Sequence, residues 1–600
     1  MPRGAGRPGG EYAGGARPGI MKTVRPTDAA TSPLPARTGE RARWRTREAS
    51  IALVLPALAA LLTTAVFAVR GLGDAARNWP VTYELSSSDN GVLFQLASDL
   101  FAGRPLDWSF SPQTYTFPEL PISLAAYALA LGNVYAYYVI VAALNQALLV
   151  GVLAALVRLL FPAASRRAWM LRTALASAPL VILPLVANNS LYLFHLAPTY
   201  YFGLYLLAFA RPIAVLTRRR GVRVAVLVAY ALTGASNPLL VAMTLPSVAV
   251  SLIGLFLRDG RRGLTTRVAV WFGATLAVTI ALRAVLSPLA ATDPTSYISA
   301  TRALGRVQAI RATLLDGFNQ GLDPMLLALS LGATGVCLVA AVIALRRFVA
   351  RAPLRVNAGM DASGSGPAGS GAAGAGAAEA GPAGSGVAGS SDAPRSVALV
   401  YLTTLPVLGA VAMYLIMAVH QYYLWLFIVG GIIVAALVLP RQRVLTPLAA
   451  GLAVVLVAAL GVTTAQAVGN PRAVSYFGYR APITQCLDDS LPAGSVGYAT
   501  FSDARRYALP SASGIRLIAV GDTMGPNYWL ANRATARTEV GSFVLLNPHT
   551  DETGFTPAAV LEAFGAPART VACDTEGTEL WVYDPASRER IAEFYRTHAG

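Results

Sequence analysis

Charged residues are scarce in this chain of 600 residues. They make up 13% of it, whereas hydrophobic residues make up 55%, and the mean hydropathy is +0.52. Soluble domains carry about a quarter charged residues, so the composition excludes one large soluble domain and predicts a polytopic membrane protein. Lysine is nearly absent, and the net charge of +17 comes from arginines in short clusters between apolar runs. We expect no nucleic-acid partner, because no basic surface with interleaved aromatic residues is present.

Cysteine and histidine are also rare, with three and four residues respectively. No CxxC, HExxH or histidine cluster occurs, so we expect no structural metal site. Cys337 lies inside an apolar run, where a cysteine is usually a packing residue. Cys486 and Cys573 lie in the polar C-terminal region. A disulfide between them would fit an oxidising compartment, and whether they pair is left open.

Long apolar runs predict about eleven membrane spans. An arginine cluster follows every second span, for example Arg218, Arg219 and Arg220 after the fourth. Because arginine holds loops on the cytoplasmic side, the N-terminus is expected in the cytoplasm and the C-terminal region outside. The predicted spans are 51–69, 134–160, 174–187, 201–217, 222–235, 239–257, 268–289, 325–345, 397–419, 424–439 and 445–465.

Two segments outside the membrane region are expected to lack a packed core. Residues 1–49 form a basic, disordered cytoplasmic tail, with Met1 or Met21 as the start. The Gly/Ala/Ser-rich stretch 351–395 is a flexible cytoplasmic linker between the membrane regions 50–350 and 396–466.

Residues 467–600 have the composition of a soluble domain. Short β-type runs predict strands near 495–500, 515–520, 542–546 and 580–583, and residues 557–564 predict a helix. The expected fold class is an all-α polytopic membrane bundle of about eleven transmembrane helices with a small α/β extracytoplasmic domain at the C-terminus. Trp529, Asn532 and Arg533 form either a binding patch of this domain or part of an ordinary surface helix.

The loop between the first two spans, residues 70–120, concentrates carboxylates. Asp89 precedes a stretch whose apolar positions have helical spacing, so it is either a helix N-cap or a reactive acid, and the two roles are compatible. Glu119 lies where the chain returns to the bilayer, as an interfacial anchor or a second acid. Glu84, Asp99 and Asp107 are further acids of the loop, and the last two are expected to be solvated.

Cationic candidates lie on the same predicted side. Arg283 falls within the seventh span, where a charge is a functional candidate unless it reaches the interface. Arg302 and Arg306 lie in a long outer loop, against the positive-inside pattern, and arginine suits phosphate recognition. His195 and His420 lie in outer loops among aromatic residues that are typical of an interfacial belt, yet they are also possible phosphate partners.

The first loop carries a family resemblance. The stretch Ser88-Asp89-Asn90-Gly91, continued through Ala102-Gly103 to Phe117-Pro118-Glu119-Leu120-Pro121, looks like the first loop of the GT-C superfamily of polytopic glycosyltransferases. That superfamily includes protein O-mannosyltransferases, lipid A aminoarabinose transferases and mycobacterial arabinosyltransferases. The predicted cytoplasmic N-terminus and outer C-terminal domain agree with this pattern.

The resemblance implies transfer of a sugar from a polyprenyl-phosphate donor to a glycan, lipid or protein acceptor on the outer face. In this superfamily an acid of the first loop acts as the base or helps to hold a metal, and that role falls on Asp89. Many members have two adjacent acids there, whereas this chain has Asn90. The departure puts a divalent cation in doubt and leaves Glu119 as the nearby second acid. The polyprenyl-phosphate sugar is the expected donor substrate, and no cofactor is assigned; a divalent cation is left open.

Two other functions stay open. A transporter or flippase of a lipid-linked or anionic substrate would place ionisable residues in the membrane and usually shows repeat halves. Arg283 fits that pattern, but no repeat is found. A non-catalytic envelope scaffold would use the outer domain to bind a partner. The alanine- and arginine-rich composition hints at a bacterial plasma membrane as the location.

Overall fold

The computed structural model describes thirteen parts of the chain. The predicted tail, almost all of the predicted linker, and the candidate residues Arg302, Arg306 and His420 lie outside them. The described residues are 54–65, 67, 88–186, 194–199, 201–259, 263–290, 324–350, 393–416, 425–438, 444–468, 480–521, 524–549 and 555–598.

The membrane part and the first loop are helical. A π-helical turn joins α11 to α12, and another precedes α13. In chain order the helices are α1 (Val54–Ala65), α2 (Ser88–Phe101), α3 (Glu119–Ala130), α4 (Val134–Leu160), α5 (Arg166–Val186), α6 (Phe202–Leu216), α7 (Arg220–Ser236), α8 (Leu239–Asp259), α9 (Leu264–Leu286), α10 (Pro324–Ala350), α11 (Ala393–Thr404), α12 (Ala410–Ile416), α13 (Gly431–Val438) and α14 (Leu445–Val468).

Seven of the described helices are long and apolar enough to cross a bilayer: α4, α5, α8, α9 and α10, the segment α11–α12, and α14. They support a membrane protein. The predicted count of eleven spans is not confirmed, because α1, α6 and the helix over Leu426–Val438 are shorter. Helix α7, over the predicted fifth span, has 17 residues. The bundle core is apolar and aromatic, with Phe202, Phe209 and Trp425 almost fully buried.

Two helices of the first loop stand apart from the seven spans. Helix α2 precedes a short strand, β1 (Trp108–Ser109), and helix α3 follows that strand. At about 1.5 Å per residue the twelve residues of α3 reach about 18 Å, too short for a hydrocarbon core of about 30 Å. Helix α3 ends in a tight turn before α4, whose first amides are capped by the Asn133 side chain.

The C-terminal region folds as the predicted small α/β unit. The sheet has the strand order β3-β2-β5-β7-β6; β2 pairs parallel with β3 and β5, and the other pairs are antiparallel. Its elements are α15 (Pro482–Ser490), β2 (Val496–Thr500), α16 (Phe501–Ala508), β3 (Arg516–Val520), β4 (Ala531–Asn532), α17 (Arg533–Thr538), β5 (Phe543–Leu546), α18 (Pro557–Phe564), β6 (Arg569–Ala572), β7 (Glu579–Val582) and α19 (Pro585–His598).

The cysteines divide as the sequence suggests. Cys486 of α15 and Cys573, just after β6, are joined by a disulfide, with their Cα atoms 5.4 Å apart. The bond ties the first helix of the domain to its edge strand. Cys337 is buried within α10 as a packing residue.

The C-terminal domain is docked on the first loop. Strands β1 and β4 pair antiparallel, with Trp108 opposite Asn532, although each strand has only two residues. The backbone amide of Arg533 donates to the Asp107 carbonyl oxygen over 2.7 Å. Helix α16 packs against α2. The loop with the candidate acids is therefore enclosed by the domain that follows the membrane bundle.

Candidate active site

Helix α2 confirms the predicted helical stretch after Asp89. Its apolar residues Val92 and Leu93 are fully buried, as the helical spacing requires. The helix begins at Ser88, which places Asp89 within the first turn rather than at the N-cap position. A carboxylate there still interacts favourably with the positive end of the helix dipole. The Asp89 side chain is half-buried, so it is enclosed without being sealed.

The neighbour of Asp89 has a different role. Asn90 is fully buried, and its Oδ1 accepts a hydrogen bond of 2.7 Å from the Thr199 hydroxyl, which lies just before α6. This bond ties the first turn of α2 to the loop that leads into α6. Asn90 thus positions the backbone beside Asp89, where many GT-C members have a second acid.

A second charge reaches Asp89 from the C-terminal domain. Helix α16 starts at the carboxyl end of β2, and Thr500 caps it by accepting from the Asp503 amide. Asp503 is fully buried and accepts from the side chains of Thr500 and Asn547. These bonds fix the first turn of α16. Arg505, one turn further on, then points into the first loop.

The Arg505 guanidinium is held from several sides. Nε donates to the Gln95 side chain of α2 over 3.3 Å, and Nη2 donates to the Leu530 carbonyl oxygen. The guanidinium also lies 4.8 Å from the Phe501 ring centroid. Arg505 is only 4% exposed, so this cation is fixed within the interface between the domain and the loop.

Gly91 permits this close approach. A Cβ atom at Gly91 would lie 2.6 Å from Cδ1 of Leu509 and 3.2 Å from Cβ of Arg505. Side-chain contacts of this length are repulsive, so any larger residue at position 91 would push α16 away from α2. The glycine next to the candidate acid is therefore explained by packing against the helix that carries Arg505.

Asp89 and Arg505 perturb each other. Burial raises the pKa of the Asp89 carboxyl, and the positive charge of Arg505 opposes that rise. Burial lowers the pKa of Arg505 to about 10, and the negative charge of Asp89 opposes that fall. An acid with a raised pKa beside a cation is a combination often found at functional sites. Arg505 favours the ionised, basic form of Asp89.

Glu119 is the second candidate acid and is 3% exposed. Its Oε1 accepts from the Gly203 amide over 2.9 Å, which satisfies one of the free amides at the start of α6. Its Oε2 is buried without a hydrogen-bond partner among the described residues. Burial raises the pKa of Glu119 to about 7, although the Gly203 amide opposes the rise. Glu119 and Asn90 thus bind the same short segment, Thr199 to Gly203.

Arg283 is brought to the same loop. Its Nη1 donates to the Ala235 carbonyl oxygen over 3.3 Å, and its Nη2 is buried without a partner in the described structure. The next residue, Ser236, accepts from the Phe117 amide through its hydroxyl and from the Thr114 amide through its carbonyl oxygen. Phe117 lies two residues before Glu119. A continuous set of contacts therefore runs from Arg283 to the first-loop acids.

His195 is placed more deeply than a surface ligand would be. It is 1% exposed, its Nε2 lies 3.1 Å from the Leu180 carbonyl oxygen, and its ring packs near Trp425. Burial lowers the pKa of His195 to about 4, so the ring is neutral at pH 7. A neutral imidazole can donate a hydrogen bond but supplies no positive charge to a phosphate.

The structure corrects one expectation about the first loop. Asp99 is not solvated: it is 1% exposed, binds Arg104, and accepts from the Asn532 amide over 2.9 Å. Asp107 forms ion pairs with Arg533 at 2.6 Å and with Arg537 at 3.1 Å. The C-terminal domain covers Asp99, whereas the Asp107 side chain remains 34% exposed beside its ion pairs. Their partners are 433 and 426 residues away in the chain.

The same contacts involve Asn532 and Arg533 of the candidate patch that includes Trp529. Asn532 is 4% exposed, lies in β4, and caps α17 through its side chain. Arg533 begins α17 and binds the first loop. Asn532 is therefore not a free surface residue. Trp529 is half-buried and the Arg533 side chain is 38% exposed, so the choice between a binding patch and a surface helix stays a prediction for these two residues. Arg505 is the functional candidate that the sequence pattern missed, since the only local signal was a Thr-x-x-Asp helix start at Thr500.

No group of three or more metal-ligating side chains occurs among the described residues. Asn90 Oδ1 and Glu119 Oε1 each accept a protein hydrogen bond. Comparison with protein-family models, curated proteins and solved structures finds no match to this chain.

Proposed function

We propose that this chain is an integral-membrane glycosyltransferase of the GT-C type. It would move a sugar from a polyprenyl-phosphate donor to an acceptor hydroxyl on the extracytoplasmic face of a bacterial plasma membrane. One observation carries the proposal. Asp89 lies on α2, outside the seven candidate spans, and its carboxylate is half-buried. The carboxylate faces the fixed cation of Arg505, and the neighbouring Asn90 is held by Thr199.

Asp89 is the general base of the proposed reaction. A sugar hydroxyl is a poor nucleophile at neutral pH, and a positioned carboxylate that takes its proton contributes about 10² to 10⁴-fold to the rate. The acceptor oxygen attacks the anomeric carbon, the bond to the donor phosphate breaks, and the phosphate leaves as an anion. Burial raises the pKa of Asp89, and the positive charge of Arg505 opposes that rise and so favours the ionised form that can accept the proton.

The leaving phosphate needs positive charge. Arg283 has a buried Nη2 group without a described partner and is connected through Ser236 to the first loop. Arg302 and Arg306 stay predictions for the same role. His195 and His420 stay predictions as partners of the phosphate. Glu119, with its free buried oxygen, is the second acid of the site. The proposed reaction needs no divalent cation.

The decisive variant is Asp89→Asn in the full chain reconstituted with a polyprenyl-phosphate sugar. Transfer should fall by about 10² to 10⁴-fold, while expression and unfolding temperature stay near those of the unmutated chain. Asp489→Asn is the matched control, because Asp489 is an exposed acid of α15. Undiminished transfer by the Asp89 variant would remove Asp89 from the mechanism.

Arg505→Met tests the contribution of the C-terminal domain. Loss of the cation should raise the pKa of Asp89 further, so the acidic limb of the pH–rate profile should move to higher pH. Arg596→Met, at an exposed arginine of α19, should leave the profile in place. An unmoved limb in the Arg505 variant would show that this arginine only holds the domain to the loop.

The transporter or flippase hypothesis rests on Arg283, a cation near the end of a candidate span. Its test uses the same reconstituted vesicles with a labelled lipid-linked sugar. Movement of the lipid between leaflets that depends on Arg283 but not on Asp89, without sugar transfer, would favour that function over the proposed one.

A further inference from the structure

A second buried cation lies further along α6, beyond the segment that binds the first-loop acid Glu119. Arg211 belongs to α6, eight residues after Gly203, and is 8% exposed. Its guanidinium is enclosed by two aromatic rings, with the Tyr230 centroid at 4.4 Å and the Phe272 centroid at 4.7 Å. The rings come from α7 and α9. They hold the charge in a defined place between three helices.

No carboxylate among the described residues forms an ion pair with Arg211. The sequence contains no aspartate or glutamate between Glu119 and Asp259, or between Asp259 and Asp293. The Nη1 atom of Arg211 is buried and has no hydrogen-bond partner among the described residues. Aromatic rings stabilise a cation but accept no strong hydrogen bond. A buried charge without a paired anion is unfavourable, so the site is suited to an anion from outside the protein.

A cleft gives access to Arg211. Trp271 and Phe272 at its mouth are only half-buried, so it opens at the surface of the bundle. Apart from Arg211, Ser251 and the Tyr401 hydroxyl, the walls are apolar. The main lining residues are Arg211, Val215, Val248, Trp271, Phe272 and Tyr401.

The position in the bundle decides which anion fits. Arg211 lies five residues before the end of α6, which is about 8 Å along the helix. The exposed residues Arg218, Arg219 and Arg220 follow that end, and arginine clusters of this kind lie at the membrane surface. A phosphate at headgroup depth can therefore reach Arg211 while its acyl chains lie against the apolar walls.

We propose that the Arg211 cleft binds an anionic phospholipid through its phosphate. The lipid phosphodiester accepts hydrogen bonds from the guanidinium edge that the aromatic rings leave free. The site is separate from the first-loop acids and does not depend on the proposed transferase activity. The bound lipid supplies the negative charge that pairs with the Arg211 guanidinium.

Native mass spectrometry of the full chain in mild detergent tests the proposal. The unmutated protein, offered equal amounts of phosphatidylglycerol and phosphatidylcholine, should retain phosphatidylglycerol preferentially. Arg211→Met should weaken phosphatidylglycerol binding by about tenfold, the value of one charged hydrogen bond. Arg219→Met, at an exposed arginine beyond the same helix end, is the matched control and should lose little. Equal retention by Arg211→Met and the unmutated chain would overturn the proposal.

A second variant covers failure of Arg211→Met to fold. Phe272→Leu keeps the charge and opens one side of the aromatic enclosure, so phosphatidylglycerol retention should change while phosphatidylcholine retention does not. Inorganic phosphate forms the last arm. If tens of millimolar phosphate displaces the lipid as effectively as added phosphatidylglycerol, the site takes free phosphate and the lipid assignment is wrong.

Discussion

Glu119→Gln gives the most quantitative prediction about the first loop. Burial raises the pKa of Glu119 from its ordinary value of 4.5 to about 7. At about 1.4 kcal/mol for each pH unit, the rise corresponds to about 3 kcal/mol. Because the folded state binds the proton more tightly, the stabilisation is complete below pH 4.5 and is lost as the pH rises through 7. Glutamine resembles the protonated acid and retains an oxygen for the Gly203 amide.

The assay is denaturant unfolding of the full chain in mild detergent between pH 4.5 and 8. The free energy of unfolding of Glu119→Gln, relative to that of the unmutated chain, should increase by about 3 kcal/mol across this range. Glu562→Gln, at an exposed glutamate of α18, is the control and should follow the unmutated chain at every pH. A stability difference for Glu119→Gln that stays constant with pH would refute the reasoning.

Two further variants test the docking of the C-terminal domain on the first loop, and a third tests the disulfide within that domain. Gly91→Ala should destabilise the chain by about 1 to 3 kcal/mol through overpacking against α16. Gly273→Ala is the control: its Cβ position has open space, so the unfolding temperature should stay the same or rise. Asn532→Ala removes three side-chain hydrogen bonds, to the Asp99 carboxylate, to the Pro105 carbonyl oxygen and from the Ala534 amide. Protease cleavage of the first loop should therefore become faster, and an unchanged rate would contradict the interface. Cys486→Ser removes the disulfide and opens a covalent loop of 87 residues. The free energy of unfolding should fall by about 4 kcal/mol, and an unchanged free energy would show that the bond is not formed.

Local patterns of the sequence were sufficient for much of the fold. Apolar runs of helical length predicted the seven long helices, because a membrane span needs little more than length and hydropathy. Strands β2, β3, β5 and β7 and helix α18 were predicted within one or two residues. Strand β6 was missed, since its four residues are mostly exposed and lack an apolar pattern.

The candidate site was predictable only in part. Asp89 and Glu119 stood out as isolated acids in an apolar sequence, and the structure places both beside the segment that starts α6. The contacts of Asp99 with Asn532 and of Asp107 with Arg533 could not be predicted, because a hydrogen bond or ion pair over more than 400 residues leaves no local pattern. Arg505 is one of many arginines, and only the pairing of α16 with α2 distinguishes it. Tertiary contacts therefore decide which acid is enclosed, which is paired, and which faces a cation.

The C-terminal domain has a structural consequence for the proposed chemistry. It carries the cation that faces Asp89 and covers Asp99, which would otherwise be solvated. The proposed base is thus assembled from two parts of the chain that lie on either side of the membrane bundle in sequence. Removal of the domain should affect transfer directly as well as any partner binding.

The central claim is that Asp89 accepts a proton from the acceptor hydroxyl. Its most direct test is the single-turnover rate of sugar transfer by Asp89→Asn, measured beside Asp489→Asn with a reconstituted polyprenyl-phosphate donor. The account predicts a loss of about 10² to 10⁴-fold for Asp89→Asn and none for the control. A rate for Asp89→Asn equal to that of the unmutated chain, in a protein of unchanged stability, would contradict it.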